Sequence, residues 1–180
     1  MLERFPIRPH VGWNERIERA GKVTVLAREE RWTEVAPKVW DVVTTDVETK
    51  TAFYRARYAL TKEGLSQIAV LDGARVVPVE PPRLALPLDP KAGFSWQRDH
   101  QVGAQRTHRS CSLTTWRPAD GSGCNGGLEV ACTTRYADGR TVDVRNRYCE
   151  GVGIVGYESN TDGKVFIRSE NLTDLAKDAD

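Results

Sequence analysis

The chain contains no run of 18 apolar residues, so it offers no candidate for a membrane-spanning helix. Its first residues, Met1-Leu2-Glu3-Arg4-Phe5-Pro6, hold no apolar h-region, and no export signal is expected within them. Charge of one sign is also missing: Lys+Arg 26 against Asp+Glu 25 leaves a formal net charge of +1. That balance removes the usual electrostatic reason to expect nucleic acid or an anionic membrane as partner. There are only three histidines, His10, His100 and His108, with no His-x-His or His-Glu-x-x-His spacing, so no metal site is expected. On one straight strand the last two would stand about 26 Å apart. No Gly-x-Ser-x-Gly elbow occurs, and no phosphate-cradling glycine loop opens a helix. Ser110 reads as a strand residue, and the pairs Glu29/Glu30 and Asp41/Asp46 read as turn or surface carboxylates. These absences point to a protein that is not an enzyme and holds no cofactor.

What is present is 180 residues with 39% hydrophobic and 28% charged content, enough for a soluble chain with one core. Neither half carries enough apolar residues for a core of its own. Residues 1–180 therefore read as a single β domain with an ordered body over 5–170. The polar acidic tail, 171–180, either frays or forms one short helix capped by Thr173.

Period-2 alternation runs through the whole body. Trp13, Glu15 and Ile17 alternate before a turn at Ala20-Gly21, and Trp40, Val42 and Thr44 follow a break at Ala36-Pro37. Tyr54, Ala56, Tyr58 and Leu60 form a face opposite Phe53, Arg55 and Arg57. Pro78, Pro81, Pro82, Pro87 and Pro90 cannot donate ladder hydrogen bonds, which predicts an edge or an extended connector there. The expectation is an all-β protein: one strongly curved antiparallel sheet of about ten or eleven strands, as a half-barrel or a flattened barrel.

The four cysteines, Cys111, Cys124, Cys132 and Cys149, lack the close Cys-x-x-Cys pairs that zinc favours. Strand register decides between free thiols and bridges. A three-residue hairpin loop at Ala137-Asp138-Gly139 pairs Thr134 with Val142 and Cys132 with Val144, and brings Cys149 level with Gly127. Placing Leu113 opposite Val130 sets Cys111 opposite Cys132. The glycine-rich loop after Trp116 carries Cys124 toward Cys149. Bridges Cys111–Cys132 and Cys124–Cys149 are therefore expected, and with them an oxidising compartment.

Arg55, Arg57, Arg98, Arg106, Arg109, Arg135, Arg145 and Arg147 lie on predicted strands. The solvent side of a one-sided sheet accounts for them, with a cationic face for an acidic partner as the sharper alternative. Arg145 and Arg147, on one face, are the candidates for such contact. Trp13 and Trp96 are the candidates for lining an apolar ligand site.

The segment Arg147-Tyr148-Cys149-Glu150-Gly151-Val152-Gly153-Ile154-Val155-Gly156-Tyr157 places an aromatic residue, a Gly-Val-Gly turn and an apolar strand in succession. Phe5-Pro6, Gly12-Trp13, the Pro82–Pro87 segment and Gly93-Phe-Ser-Trp96 precede it in order. The pattern resembles a group of bacterial envelope lipoproteins, loosely similar to half-barrel lipoprotein carriers. The resemblance implies export to the periplasm, the outer membrane or the exterior, with no established catalysis. No lipobox cysteine precedes Phe5, so a lipid anchor is expected only if a longer precursor supplies it. By itself the turn has a structural reading, with Gly151 and Gly153 bending the chain and Val152 plugging the core.

The function expected is non-catalytic: an envelope binding or assembly module contacting another protein or an apolar ligand. The alternative is a protein-interaction subunit or an inhibitor or immunity-type protein that uses the arginine-bearing face.

Overall fold

The structure is a computed structural model that describes residues 3–117, 124 and 126–174, the last five by their backbone alone. It contains twelve strands: β1 (His10–Arg19), β2 (Lys22–Ala36), β3 (Val39–Asp46), β4 (Ala52–Leu60), β5 (Gly64–Asp72), β6 (Arg75–Pro87), β7 (Ser95–Val102), β8 (Gln105–Trp116), β9 (Gly127–Tyr136), β10 (Thr141–Cys149), β11 (Gly153–Thr161) and β12 (Val165–Asp174). Each pairs antiparallel with its neighbours in sequence, and β1 pairs with β12. The all-β expectation holds, and the sheet closes into a barrel of twelve strands rather than ten or eleven. Closure removes both sheet edges, the exposed rows of backbone donors and acceptors that invite aggregation.

Two segments depart from expectation. The backbone of 171–174 continues β12, where Thr173 pairs with Gly12 instead of capping a helix. The proline-rich passage is more than a connector: Pro78, Pro81, Pro82 and Pro87 belong to β6, which pairs with β5 from Asp72↔Arg75 to Ala69↔Pro78 and again from Gln67↔Arg83 to Gly64↔Pro87, with residues 79–82 bulging between. On its other side β6 meets β7 in only two residue pairs, Val79↔Val102 and Glu80↔Gln101. Pro81 and Pro82 have no N–H to offer, so the ladder stops where they begin.

Hairpin chemistry fixes the remaining register. The observed pairs Thr134↔Val142, Cys132↔Val144, Cys149↔Gly127, Leu113↔Val130 and Cys111↔Cys132 are those expected from sequence. Gly139 turns the β9–β10 hairpin at φ +86°. Both expected disulfides are present, Cys111–Cys132 and Cys124–Cys149.

The apolar core fills the end of the barrel that holds the disulfides. Leu113 and Val130 are completely buried, with Leu65, Leu86, Leu128 and Tyr148 beside them. Burying a leucine fully stabilises by about 1.5–3 kcal/mol relative to leaving it exposed. The segment before β1 plugs this end. Phe5 is buried and meets the Tyr148 ring edge-on at 6.4 Å. The Gly151 N–H donates to the Arg4 carbonyl at 2.7 Å, and Arg8 Nε donates to the Val152 carbonyl at 2.8 Å. Gly153 sits at φ +93°, and a Cβ there would collide with the Pro6 carbonyl. The Gly-Val-Gly turn thus makes room for the plug, and Phe5 fills the core where Val152, only half-buried, does not.

Away from the plug the interior turns polar. Arg28 donates through Nε to Glu15 and through Nη1 to Asp46, both at 2.7 Å, with all three side chains nearly buried. The outer face carries exposed charges such as Arg55, Arg135, Asp143 and Arg145, which interrupt the apolar band that a lipid-facing barrel presents. Among the described residues, no helix is long and apolar enough to cross a membrane.

Candidate functional site

The β6–β7 ladder is the shortest in the ring, so beyond Glu80 and Gln101 the two strands part and leave a window in the wall. A cleft of about 310 Å³ occupies it, lined by Glu63, Leu84, Pro87, Phe94, Trp96, Gln97, Arg98 and His100. Phe94 is exposed and stacks on Trp96, ring centroids 5.5 Å apart. Arg98 is held at the rim by two bonds to the Glu63 carboxylate, at 3.0 and 3.3 Å. His100 lies deeper, its Nδ1 2.8 Å from the Pro81 carbonyl oxygen. Burial lowers its proton affinity, which the Pro81 bond only partly offsets, so the imidazole tends to the neutral form near pH 7.

Behind the window lies a polar network. Arg83 Nη1 donates to Gln67 Oε1 at 3.0 Å, Gln67 Nε2 reaches the Tyr54 hydroxyl at 3.5 Å, and the Tyr54 and Tyr58 hydroxyls are 2.9 Å apart. Arg83 Nε is buried and has no hydrogen-bond partner. Arg109 points inward, its Nε 3.3 Å from Cys111 Sγ. Burial, and next the Arg83 guanidinium, hold Arg109 below the ordinary arginine value. Among the described residues no carboxylate is ion-paired with Arg83 or Arg109. The nearby acid, Glu30, accepts instead from Trp32 Nε1 at 2.8 Å and Thr44 Oγ1 at 3.1 Å. Burial raises its carboxyl above the usual range despite those two bonds.

Glu30, Tyr54 and Tyr58 are enclosed by protein deeply enough to shift their titration, yet each keeps accessible surface. Eight strands close around their own side chains and sixteen leave an aqueous channel, and a ring of twelve falls between them.

The four contact residues expected from sequence do not converge. Trp13 lies on β1 with its Nε1 buried and unpartnered, six strands around the ring from Trp96, which lines the window. Arg147 is tied to Glu129 at 3.0 Å and Glu158 at 3.1 Å. Arg145 is exposed and lines a shallow outer groove of about 490 Å³ with Ser110, Ala131, Thr133, Asn160 and Phe166. Arg109, expected on the solvent side, faces inward, because it is in phase with Cys111 and Leu113 on β8.

His100 and His108 do not share a straight strand, since the chain turns at Gly103 between β7 and β8. His108 faces outward, its Nδ1 2.6 Å from Asp99 Oδ1 and its Nε2 3.2 Å from Ser110 Oγ. This is the connectivity of a nucleophile, a base and an orienting acid. It lacks the surroundings that acyl transfer needs. Ser110 is laddered on both sides, to Gln97 and Thr133, so its own backbone is engaged in the sheet rather than turned toward an oxyanion. The Asp99 side chain is 88% exposed, so water competes for it. Among the described residues no group of three His, Cys, Asp or Glu is placed to hold a metal ion.

No known family profile matches the sequence, and no curated protein matches it. Among solved structures the chain is similar to a candidate lipoprotein from Parabacteroides distasonis, at 11% identity and a TM-score of 0.46, over 94% of this chain and 97% of that one. It is also similar to a candidate exported protein with YmcC-like fold from Bacteroides fragilis, at 13% identity and a TM-score of 0.35, over 94% of this chain and 98% of that one.

Proposed function

We propose that this protein is a non-catalytic binding module of the bacterial envelope that takes an apolar ligand through the window between β6 and β7. The observation that carries the reading is the Phe94–Trp96 stack beside the shortest ladder of the barrel. The next shortest ladder, β11–β12, holds four pairs, and Phe5 is buried in the core at the disulfide end. The two bridges support export, because such bonds persist in oxidising compartments and are rare in the cytosol. Native mass spectrometry of the purified protein, mixed with a detergent-free bacterial lipid extract, tests this. The expected result is one bound species per chain, reduced by Phe94→Ser; an unliganded spectrum from every extract would count against it.

A second reading, a protein-interaction subunit or inhibitor, is favoured by Arg145. It is an exposed guanidinium in the outer groove, close to the exposed Phe166. A stoichiometric protein complex that Arg145→Glu abolishes, in a chain that binds no lipid, would establish this reading instead.

A further inference from the structure

We infer that the interior behind the window is an anion subsite, in which Arg83 and Arg109 receive the carboxylate of an acyl-chain ligand whose apolar body lies along Phe94 and Trp96. The inference rests on the window being the ligand entrance. Three observations carry it. Arg28, an interior arginine nearer the polar end, is satisfied by Glu15 and Asp46, whereas Arg83 and Arg109 are ion-paired with no carboxylate among the described residues. Arg83 Nε is buried with a donor unspent. Glu30, the acid that acts on Tyr54 and Tyr58, is engaged by neutral donors and is driven by burial toward its uncharged form.

Two like charges in a poorly hydrated interior, without a counter-charge, repel one another and forfeit solvation. A carboxylate placed between them removes both penalties and accepts charge-assisted bonds from both guanidinium groups. One of the linked Tyr54 and Tyr58 hydroxyls donates to the other, and the remaining O–H supplies a further donor. An acyl carboxylate fits better than a small inorganic anion because His100, close enough to feel the charges of Arg83 and Arg109, lines the cleft together with Leu84, Pro87, Phe94 and Trp96. Those apolar side chains give an inorganic anion no compensation and give an alkyl chain a place to lie.

Isothermal titration of the intact, oxidised protein with dodecanoate, dodecanol and inorganic phosphate separates the possibilities. Dodecanoate is expected to bind one to one and at least tenfold more tightly than dodecanol. Arg109→Met and Arg83→Met should each weaken dodecanoate by about 10- to 100-fold while leaving dodecanol within about twofold. The comparison of the two ligands on the unaltered protein stands even if a variant fails to fold. Equal binding of dodecanoate and dodecanol overturns the anion subsite and leaves the window reading intact. Binding of neither overturns the window reading itself. Phosphate binding as tightly as dodecanoate, with the same loss in the variants, overturns the acyl assignment.

Discussion

Removing the Cys124–Cys149 bridge is expected to destabilise the barrel by an amount that the chain separation sets. The bridge closes a loop with a sequence separation of 25 residues, and Cys111–Cys132 closes one of 21. In the chain-entropy picture a loop of that size restricts the unfolded state by about 3.5 kcal/mol, and the shorter by about 3.3 kcal/mol. Alanine pairs are the suitable replacements, because Cys111, Cys132 and Cys149 are buried and a serine hydroxyl there would add an unsatisfied polar group. With a urea dependence of about 1–3 kcal/mol per molar, each double variant should unfold at a midpoint lower by about 1 to 3 M. Near-equal loops predict near-equal losses, which distinguishes the entropic account from one based on packing. Cys149 is fully buried and Cys124 only half-buried, whereas Cys111 and Cys132 are both core residues; a packing account therefore ranks Cys111–Cys132 as the costlier loss. Tryptophan fluorescence during urea unfolding measures both midpoints. Unchanged midpoints, or a loss confined to Cys111–Cys132, would refute the reasoning.

Leu113→Ala, at a side chain with no exposed surface, should cost about 2–5 kcal/mol, read as a fall of several degrees or more in Tm by calorimetry. Gly153→Ala should release the amino-terminal plug, because the new Cβ meets the Pro6 carbonyl at a positive φ; limited proteolysis should then cut before residue 10 with the barrel intact. Glu30 titrates above the usual carboxylate range because of burial, so the folded state holds its proton more tightly than the unfolded one. Its contribution is fully present in acid and is lost as pH rises through the unfolded value toward the folded one. Glu30→Gln should therefore gain on the native protein between pH 4 and pH 7, measured by urea midpoints, and a constant gap would contradict this. Arg145→Glu, at an exposed site, should change stability by less than about 0.5 kcal/mol and leave dodecanoate binding unaltered.

The register around the disulfides was legible because two local facts fix it together. Asp138-Gly139 sets the hairpin loop, and a slip of one residue would have turned Cys132 and Val130 outward. The window was only half legible. Pro81 and Pro82 show that N–H groups are missing, but the sequence does not say that β6 rejoins β5 at Arg83 and does not rejoin β7. Ring closure decides that, and closure depends on β12 reaching β1 across the whole chain. The interior arginine pair was missed for a related reason. Arg109 is two residues from Cys111 and four from Leu113, so its phase alone places it inside. Its β8 neighbours His108 and Ser110 are polar too, so alternation gave little contrast between the faces. A charged residue standing in phase with buried cysteines was the signal available. Ser110, His108 and Asp99 come together because β7 and β8 form a tight hairpin around Gly103, which two histidines eight positions apart do not reveal.

The central claim is that an acyl chain enters between β6 and β7, and bromine-labelled dodecanoate tests it by fluorescence quenching, with Trp96 in the window and Trp13 six strands away. Removing Trp96 with Trp96→Phe should abolish the larger part of the quenching, and Trp13→Phe should leave it unchanged. Quenching that survives Trp96→Phe and disappears with Trp13→Phe would contradict the account.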